Sequence, residues 1–313
     1  MSGVPVFTAR DVLDAVSPDR AVDAVRDAFV AHARGDWTMP PKVYVTNYPA
    51  GDFRAMPALG GGYALLKWIN SFPGNPAHGL PTVSGVVLLS EAETGQLRAV
   101  LDAGSVTALR TGAAAVLAAE TLARDDALRA AVIGVGVNGL AAARTLRARG
   151  REVLVWDVDV ERARRAAAEL GAAVAASLED ALAADVVVTV TPGHKALFGD
   201  DTLRPGQHVS LMGADGPGKA EASTGALVQA RLFCDDWEQA SHGGELAHAV
   251  DEGLVTRADV TDLGLVLTGD ALGRRSADDV TMFDATGLAI QDLAVALAAF
   301  ERAPELDLRT LEL

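Results

Sequence analysis

Apolar and polar positions change rhythm twice along the chain, and the changes divide it. Near the start, Val22, Val25 and Phe29 fall on one helical face within "SPDRAVDAVRDAFVAHARG". This predicts a helix capped by Ser17, opened by Pro18 and ended by Gly35. A shorter helix, "TARDVLDAV", is expected before it from a Thr8 cap. From residue 42 to 103 no helical period appears. The runs "KVYVTNY", "YALLKWINSF", "VSGVVLLS" and "LRAVLDA" read as strands of an antiparallel sheet, the last two joined by a hairpin turn at "EAETGQ". A long helix, "SVTALRTGAAAVLAAETLA", follows. From residue 130 short strands alternate with helical segments: "AAVIGV", "EVLVWD", "AAVAAS", "DVVVTVT", "HVSLMG" and "ARLFCD". That alternation predicts a parallel, doubly wound sheet. After "DVTMFDA" comes a final apolar helix, "TGLAIQDLAVALAAFERA", which is expected to return to the first domain because the parallel sheet already has its strands.

Composition narrows the function classes. At 313 residues the chain has room for two domains with separate cores, and 50% hydrophobic with 22% charged residues is globular composition. A net charge of -15 opposes a nucleic-acid partner. No basic segment followed by a long apolar run opens the chain, and the apolar stretches are interrupted by Arg, Glu or Gly, so neither a secretory leader nor a membrane span is expected. Cys234 is the sole cysteine, which excludes an intrachain disulfide. A cytoplasmic location is the expectation.

Gly134, Gly136 and Gly139 form G-x-G-x-x-G between an expected strand and helix. The first glycine permits a tight turn, the second lets backbone approach a pyrophosphate, and the third lets helix and strand pack closely. The following strand ends in Asp157, eighteen residues after Gly139. A carboxylate there suits a ribose hydroxyl and repels a 2'-phosphate, favouring NAD; Arg162 and Arg164 nearby would favour the phosphate instead. Thr191 and Pro192 close the fourth strand, where an open sheet reverses its order and ligands bind. The expected architecture is a Rossmann-type doubly wound sheet over residues 114–286. An α+β domain is expected over 1–113, completed by 287–313.

Only four of the 27 basic residues are lysines. Lys42 stands in "MPPKVYV", Lys219 in "GADGPGKAE", and Lys67 lies mid-strand on the face of Leu65 and Ile69. An ammonium pointing where apolar groups point is costly unless paired, which favours a ligand-binding or catalytic role. Arg54 in "GDFRAMP" and Arg110 in an Ala-rich helix add two more cations, a set suited to a carboxylate substrate. His242, Glu245 and His248 cluster in "HGGELAH", but the glycines break a helical face, so no metal site is expected.

The motifs "MPPKVYV", "DFRAMPA", "LKWINSFPGNPAHGLPT", "ETGQLRAVLDA", "TALRTGAAA", "GADGPGKAE" and "TMFDATGLAIQDLAVA" occur in the order of one family. The chain resembles the ornithine cyclodeaminase/mu-crystallin family, most closely its archaeal-type alanine dehydrogenases. The resemblance implies a substrate-binding, dimer-forming first domain, an NAD-binding second domain and an active site in the cleft between them. It places Lys67, Arg110 and Lys42 as basic pocket residues, with Lys67 close to the reacting centre. Asp215 matches the catalytic acid, Thr111 a phosphate-contacting hydroxyl, and Lys219 and Asn138 cofactor contacts. Cyclodeaminases carry glutamate where this chain has Arg54, a charge that would repel a diamino acid's distal ammonium. Many members have glutamine at Asn138.

The expected activity is NAD-dependent oxidation of a small L-amino acid, alanine first, with reductive amination in reverse. Two alternatives stay open: a cyclodeaminase-type lyase or imine reductase, and a non-catalytic NAD(P)H-dependent binding protein. The expected partners are an amino-acid, oxo-acid or imine substrate and a second copy of the chain.

Overall fold

The computed structural model describes residues 3–216 and 218–312. It divides into two compact units: residues up to Arg110 with those from Leu288 onward, and Thr111–Gly287. In the first, β1 (Val4–Phe7) leads to α1 (Ala9–Ala15) and α2 (Pro18–Ala33). Thr8 caps α1 reciprocally with Asp11, and the Ser17 hydroxyl accepts the Arg20 N–H at 3.2 Å to start α2. Then come β2 (Val43–Asn47), β3 (Gly51–Gly60), β4 (Tyr63–Ser71), β5 (Val83–Glu91), β6 (Leu97–Asp102) and helix α3 (Ala103–Leu122). The unit boundary falls within α3, between Arg110 and Thr111.

The second unit continues with β7 (Arg129–Ile133), α4 (Val137–Ala148), β8 (Glu152–Trp156), α5 (Val160–Leu170), β9 (Ala173–Val174), α6 (Leu178–Leu182) and β10 (Val186–Thr189). After these come β11 (His194–Phe198), β12 (His208–Leu211), β13 (Ala220–Ala222), α7 (Thr224–Val228) and β14 (Arg231–Cys234). Helices α8 (Trp237–Gly243) and α9 (Ala247–Asp251), β15 (Val260–Asp262), α10 (Leu263–Thr268) and β16 (Thr281–Asp284) complete it. The chain then returns to the first unit as α11 (Ala289–Phe300) and β17 (Arg309–Leu311).

The second unit is built on an eight-stranded parallel sheet ordered β15-β14-β16-β12-β10-β7-β8-β9. Successive strands are laid down from β7 through β8 to β9, and then on the other side from β10 to β12. The order therefore reverses between β7 and β10, where an open sheet leaves a crevice at its strand C-termini. This is the doubly wound α/β architecture. A separate two-stranded sheet joins β11 and β13.

The first unit holds a seven-stranded sheet ordered β17-β1-β6-β5-β4-β3-β2. It is mixed rather than purely antiparallel, because β1 runs parallel to β6. The alternation pattern misses three of its strands: the short β1 and β17, and β3, whose run contains Pro57. β2 reaches only Val43, opposite Ala55, so Pro57 lies past the end of that neighbour and its missing N–H costs no bond there. Helix α11 packs on this sheet against β3 and β4 and also against α2. Ten of its twelve residues are buried, which explains why the helix is apolar on more than one face. Among the described residues no helix is long and apolar enough to cross a membrane.

Candidate active site

The glycine turn lies at the reversal point of the parallel sheet. Gly134 has φ +88°, and a side chain there would come within 2.6 Å of the Val190 carbonyl oxygen. At Gly139 a Cβ would stand 1.8 Å from the Gly134 oxygen, so strand and helix meet without room for one. Gly136 differs: a Cβ there would meet nothing within 4 Å. It is also the N-cap of α4 and offers no side-chain hydrogen bond, so no N-cap side chain satisfies the helix's leading N–H groups. Uncapped donors beside an open glycine are what a pyrophosphate requires. Asn138 is half-buried in the first turn. Thr111 is buried with its hydroxyl lacking any hydrogen-bond partner, and the adjacent Gly112 allows α3 to approach Ala141 of α4. These features fit a dinucleotide.

Asp157 is buried and spends its oxygens locally. One accepts the Val135 N–H at 2.9 Å, fixing the glycine turn, and the other accepts the Asp159 N–H at 2.9 Å. The Arg162 guanidinium lies 3.4 Å from both. Each carboxylate oxygen thus already meets two donors, so a ribose hydroxyl would take the place of Arg162, which also offsets the carboxylate charge.

Past β10, the Thr191 N–H and hydroxyl both donate to Glu221, at 2.7 and 2.8 Å, and Pro192 is exposed. Beyond β12, Asp215 forms an ion pair with Lys219. Pro217, between them, lies outside the described residues. Among the described residues no group of three or more His, Cys, Asp or Glu side chains is arranged to hold a metal ion.

In the first unit the cations gather on one sheet face. Register pairs Lys67 with Met56 and Val87, and Arg54 with Ile69 and Tyr44, so both side chains project to the same side. Lys67 is 1% exposed. Its ammonium donates to both oxygens of Asp292, at 2.8 and 2.9 Å, and to the Thr107 hydroxyl at 3.0 Å. All three N–H donors are thereby used. Arg110 Nε stands 3.4 Å from the same Asp292, close enough for attraction but without hydrogen-bond geometry. Burial pulls the Lys67 pKa down to about 8; Asp292 opposes that fall, while Arg110 and Lys42 add to it. Arg54 forms a fork with Asp52, at 2.6 and 3.3 Å, and stacks 5.4 Å above the Tyr44 ring.

The structure thus brings Lys67 and Arg110 onto one carboxylate and places Arg54 on the same sheet face. Lys42 is half-buried and near enough to act on the Lys67 charge. Sequence reading missed Asp292, Asp52, Thr107 and Glu221. Two had signals. Asp292 is a lone acid in an apolar helix, the counterpart of a lone lysine in an apolar strand. Asp52 stands two positions before Arg54 on one strand, which puts both on one face.

Known proteins share this sequence and fold over nearly the whole chain. Residues 5–306 match the model of the ornithine cyclodeaminase/mu-crystallin family. Alanine dehydrogenase of Archaeoglobus fulgidus is 43% identical over 306 residues, covering 95% of this chain and 94% of that protein. The solved archaeal alanine dehydrogenase dimer with bound NAD superimposes with a TM-score of 0.92 at 42% identity, over 96% of each chain. The iminosuccinate reductase of Paracoccus denitrificans, solved with NAD+, gives a TM-score of 0.91 at 29% identity, over 99% of this chain and all of that one. A shared fold, a glycine turn built for a dinucleotide and a match over nearly the whole length lead to one conclusion: the chain belongs to the ornithine cyclodeaminase/mu-crystallin family.

Proposed function

We propose that the chain is a cytoplasmic NAD-dependent oxidoreductase that converts L-alanine to pyruvate and ammonium, and the reverse. The carrying observation is the Arg54–Asp52 fork. Its charges match, so the wall they form offers neither a lone cation for a second carboxylate nor a lone anion for a distal ammonium. A short uncharged side chain suits such a wall. The relatives named as alanine dehydrogenases, at 42–43% identity, support the same choice over the iminosuccinate reductase at 29%.

The cofactor would be held by the uncapped N–H groups of α4 at Gly136, the Thr111 hydroxyl and Asp157, with Asn138, Thr191, Pro192 and Lys219 as further contacts. When bound, NAD supplies the hydride acceptor for C2 of the amino acid. Arg110, its side chain 12% exposed, is the cation with room to grip the substrate carboxylate. Lys67 is enclosed. It adds charge to that grip and makes a direct contact only if Asp292 releases one of its N–H groups. Lys42 supplements the field. Asp215, paired with Lys219, takes a proton from the water that attacks the substrate imine.

The reading extends to assembly. On the sheet face opposite Lys67, register aligns Val43, Val45, Leu59, Leu66, Trp68 and Val86, all exposed. An exposed apolar patch of this kind suits a second copy of the chain, and the archaeal relative is a dimer.

The deciding experiment supplies purified protein with NAD and a panel of amino acids and follows NADH absorbance. Alanine should give the highest kcat/KM. Proline formation from ornithine without net NADH, or faster reduction of a dicarboxylic imine than of pyruvate with ammonium, would overturn the assignment.

A further inference from the structure

Glu221 has no role in the chemistry above, yet its side chain is wholly buried and accepts four hydrogen bonds. Oε1 accepts the Thr191 N–H at 2.7 Å and the Thr191 hydroxyl at 2.8 Å. Oε2 accepts the Thr189 hydroxyl at 2.7 Å and the Gly213 N–H at 2.8 Å. A backbone N–H meets each oxygen, so the group is an acceptor at both. Burial holds its pKa above the usual carboxylate value, and the four donors offset only part of that rise. The strand beneath it is itself anchored, because Glu245 Oε1 accepts the N–H groups of Glu221 and Ala222 at 2.7 and 2.6 Å.

These bonds hold two strand ends at one place. Thr191 follows β10 and Gly213 follows β12, neighbours in the parallel sheet. The gap between them is narrow: a Cβ on Gly213 would lie 2.2 Å from the Thr191 carbonyl oxygen and 2.5 Å from Glu221 Cδ. Thr191 in turn backs the nucleotide turn, since a Cβ on Gly134 would lie 2.9 Å from Thr191 Cγ2. Asp215 is two residues beyond Gly213.

We propose that Glu221 is a positioning residue for the dinucleotide site, fixing Thr191 behind Gly134 and setting where the Asp215 loop leaves the sheet. The proposal rests on the NAD reading above. It also defines what Thr191 can do. Its single hydroxyl hydrogen goes to Glu221, so toward a ligand it acts only as an acceptor, and it meets a donor such as an amide or hydroxyl rather than a phosphate.

Glutamine tests this more sharply than alanine. Each Glu221 oxygen faces a backbone N–H that cannot rotate away, so Glu221→Gln sets an NH2 against a backbone donor in either orientation. Two measurements compare the full-length variant with wild type: amide hydrogen exchange without cofactor, and NADH binding by fluorescence titration. We expect exchange at Thr191 and Gly213 to quicken by about tenfold or more while the rest of the sheet keeps its protection, and the NADH Kd to rise about tenfold. The KM for alanine should change much less. Unchanged exchange at those two amides, an NADH Kd within about twofold of wild type, or a uniform loss of protection would each overturn the proposal. Should Glu221→Gln fail to fold, Thr191→Val keeps shape and backbone N–H while removing one donor. It should weaken NADH binding about threefold, with Thr191→Ser restoring it; a valine variant that binds as tightly as wild type overturns the proposal. Wild-type protein that does not bind NADH would overturn the cofactor reading and this proposal together. Wild type and Glu221→Gln that bind equally well would overturn this proposal alone.

Discussion

Asp292→Asn should uncouple the charge of Lys67 from its place in the fold. The substitution keeps the shape of the side chain and one acceptor oxygen but removes the anion 2.8 Å from the ammonium. What remains around Lys67 opposes its charge: burial first, then Arg110, then Lys42. A pair about 4 Å apart at an effective dielectric near 20 is worth about 4 kcal/mol. That corresponds to roughly a thousandfold in proton affinity, enough to carry the half-titration point of Lys67 from about 8 to below neutrality. Lys67 would then be neutral at pH 7, and Arg110 would lose the carboxylate near its Nε. The assay is reductive amination across pH, reading the KM for pyruvate. In wild type this KM should stay low below about pH 8 and rise above it, as Lys67 loses its proton. In Asp292→Asn the rise should begin at least one pH unit lower, with KM at pH 7 elevated tenfold or more, roughly. NADH affinity should stay near wild type, because the glycine turn belongs to the other unit. An unshifted pH profile in a folded variant would refute the argument, whatever happened to kcat.

Other expectations follow from the same geometry. Asp52→Asn removes a matching charge from Arg54, so the preference for pyruvate over oxaloacetate should fall by about tenfold or more; an unchanged ratio would show that Arg54 does not face the substrate side chain. Arg162→Ala uncovers Asp157 and should sharpen discrimination for NAD over NADP, whereas Asp157→Ala should weaken it; kcat/KM for both cofactors checks the pair, and equal ratios in all three proteins would rule out this corner as the ribose site. Trp68→Glu puts a charge on the exposed apolar sheet face and should lower the mass measured by light scattering from two copies to one; a variant that remains a dimer places the interface elsewhere.

Much of the fold was legible because its rhythm is local. The switch from a strand-only region to alternating strands and helices is written in spacings of a few residues, and the glycine turn announces its own geometry at Gly134 and Gly139. The misses have physical causes. β1 and β17 span only four and three residues, too short for an alternation to register, and they exist because each pairs with sequence-distant chain. β3 was hidden by Pro57, a residue that marks a strand's end unless the neighbouring strand happens to stop first, which only the sheet register reveals.

The candidate site divides along the same line. Lys67 was conspicuous because an ammonium among apolar neighbours violates a local rule. What resolves the violation is Asp292, 225 residues further along the chain, and no periodicity in strand or helix connects the two. Each is an anomaly of its own element: a cation in an apolar strand and an anion in an apolar helix. Either one alone would cost several kcal/mol on burial, roughly, so neither element tolerates its charge unless the other docks against it. Helix α11 therefore brings to the first unit both apolar surface and the one anion that lets Lys67 stay charged there. A buried charge that looks unpaid in sequence is thus a statement about topology: its counter-ion must arrive from whichever distant segment covers that face, and the candidates are the few acids stranded in otherwise apolar helices.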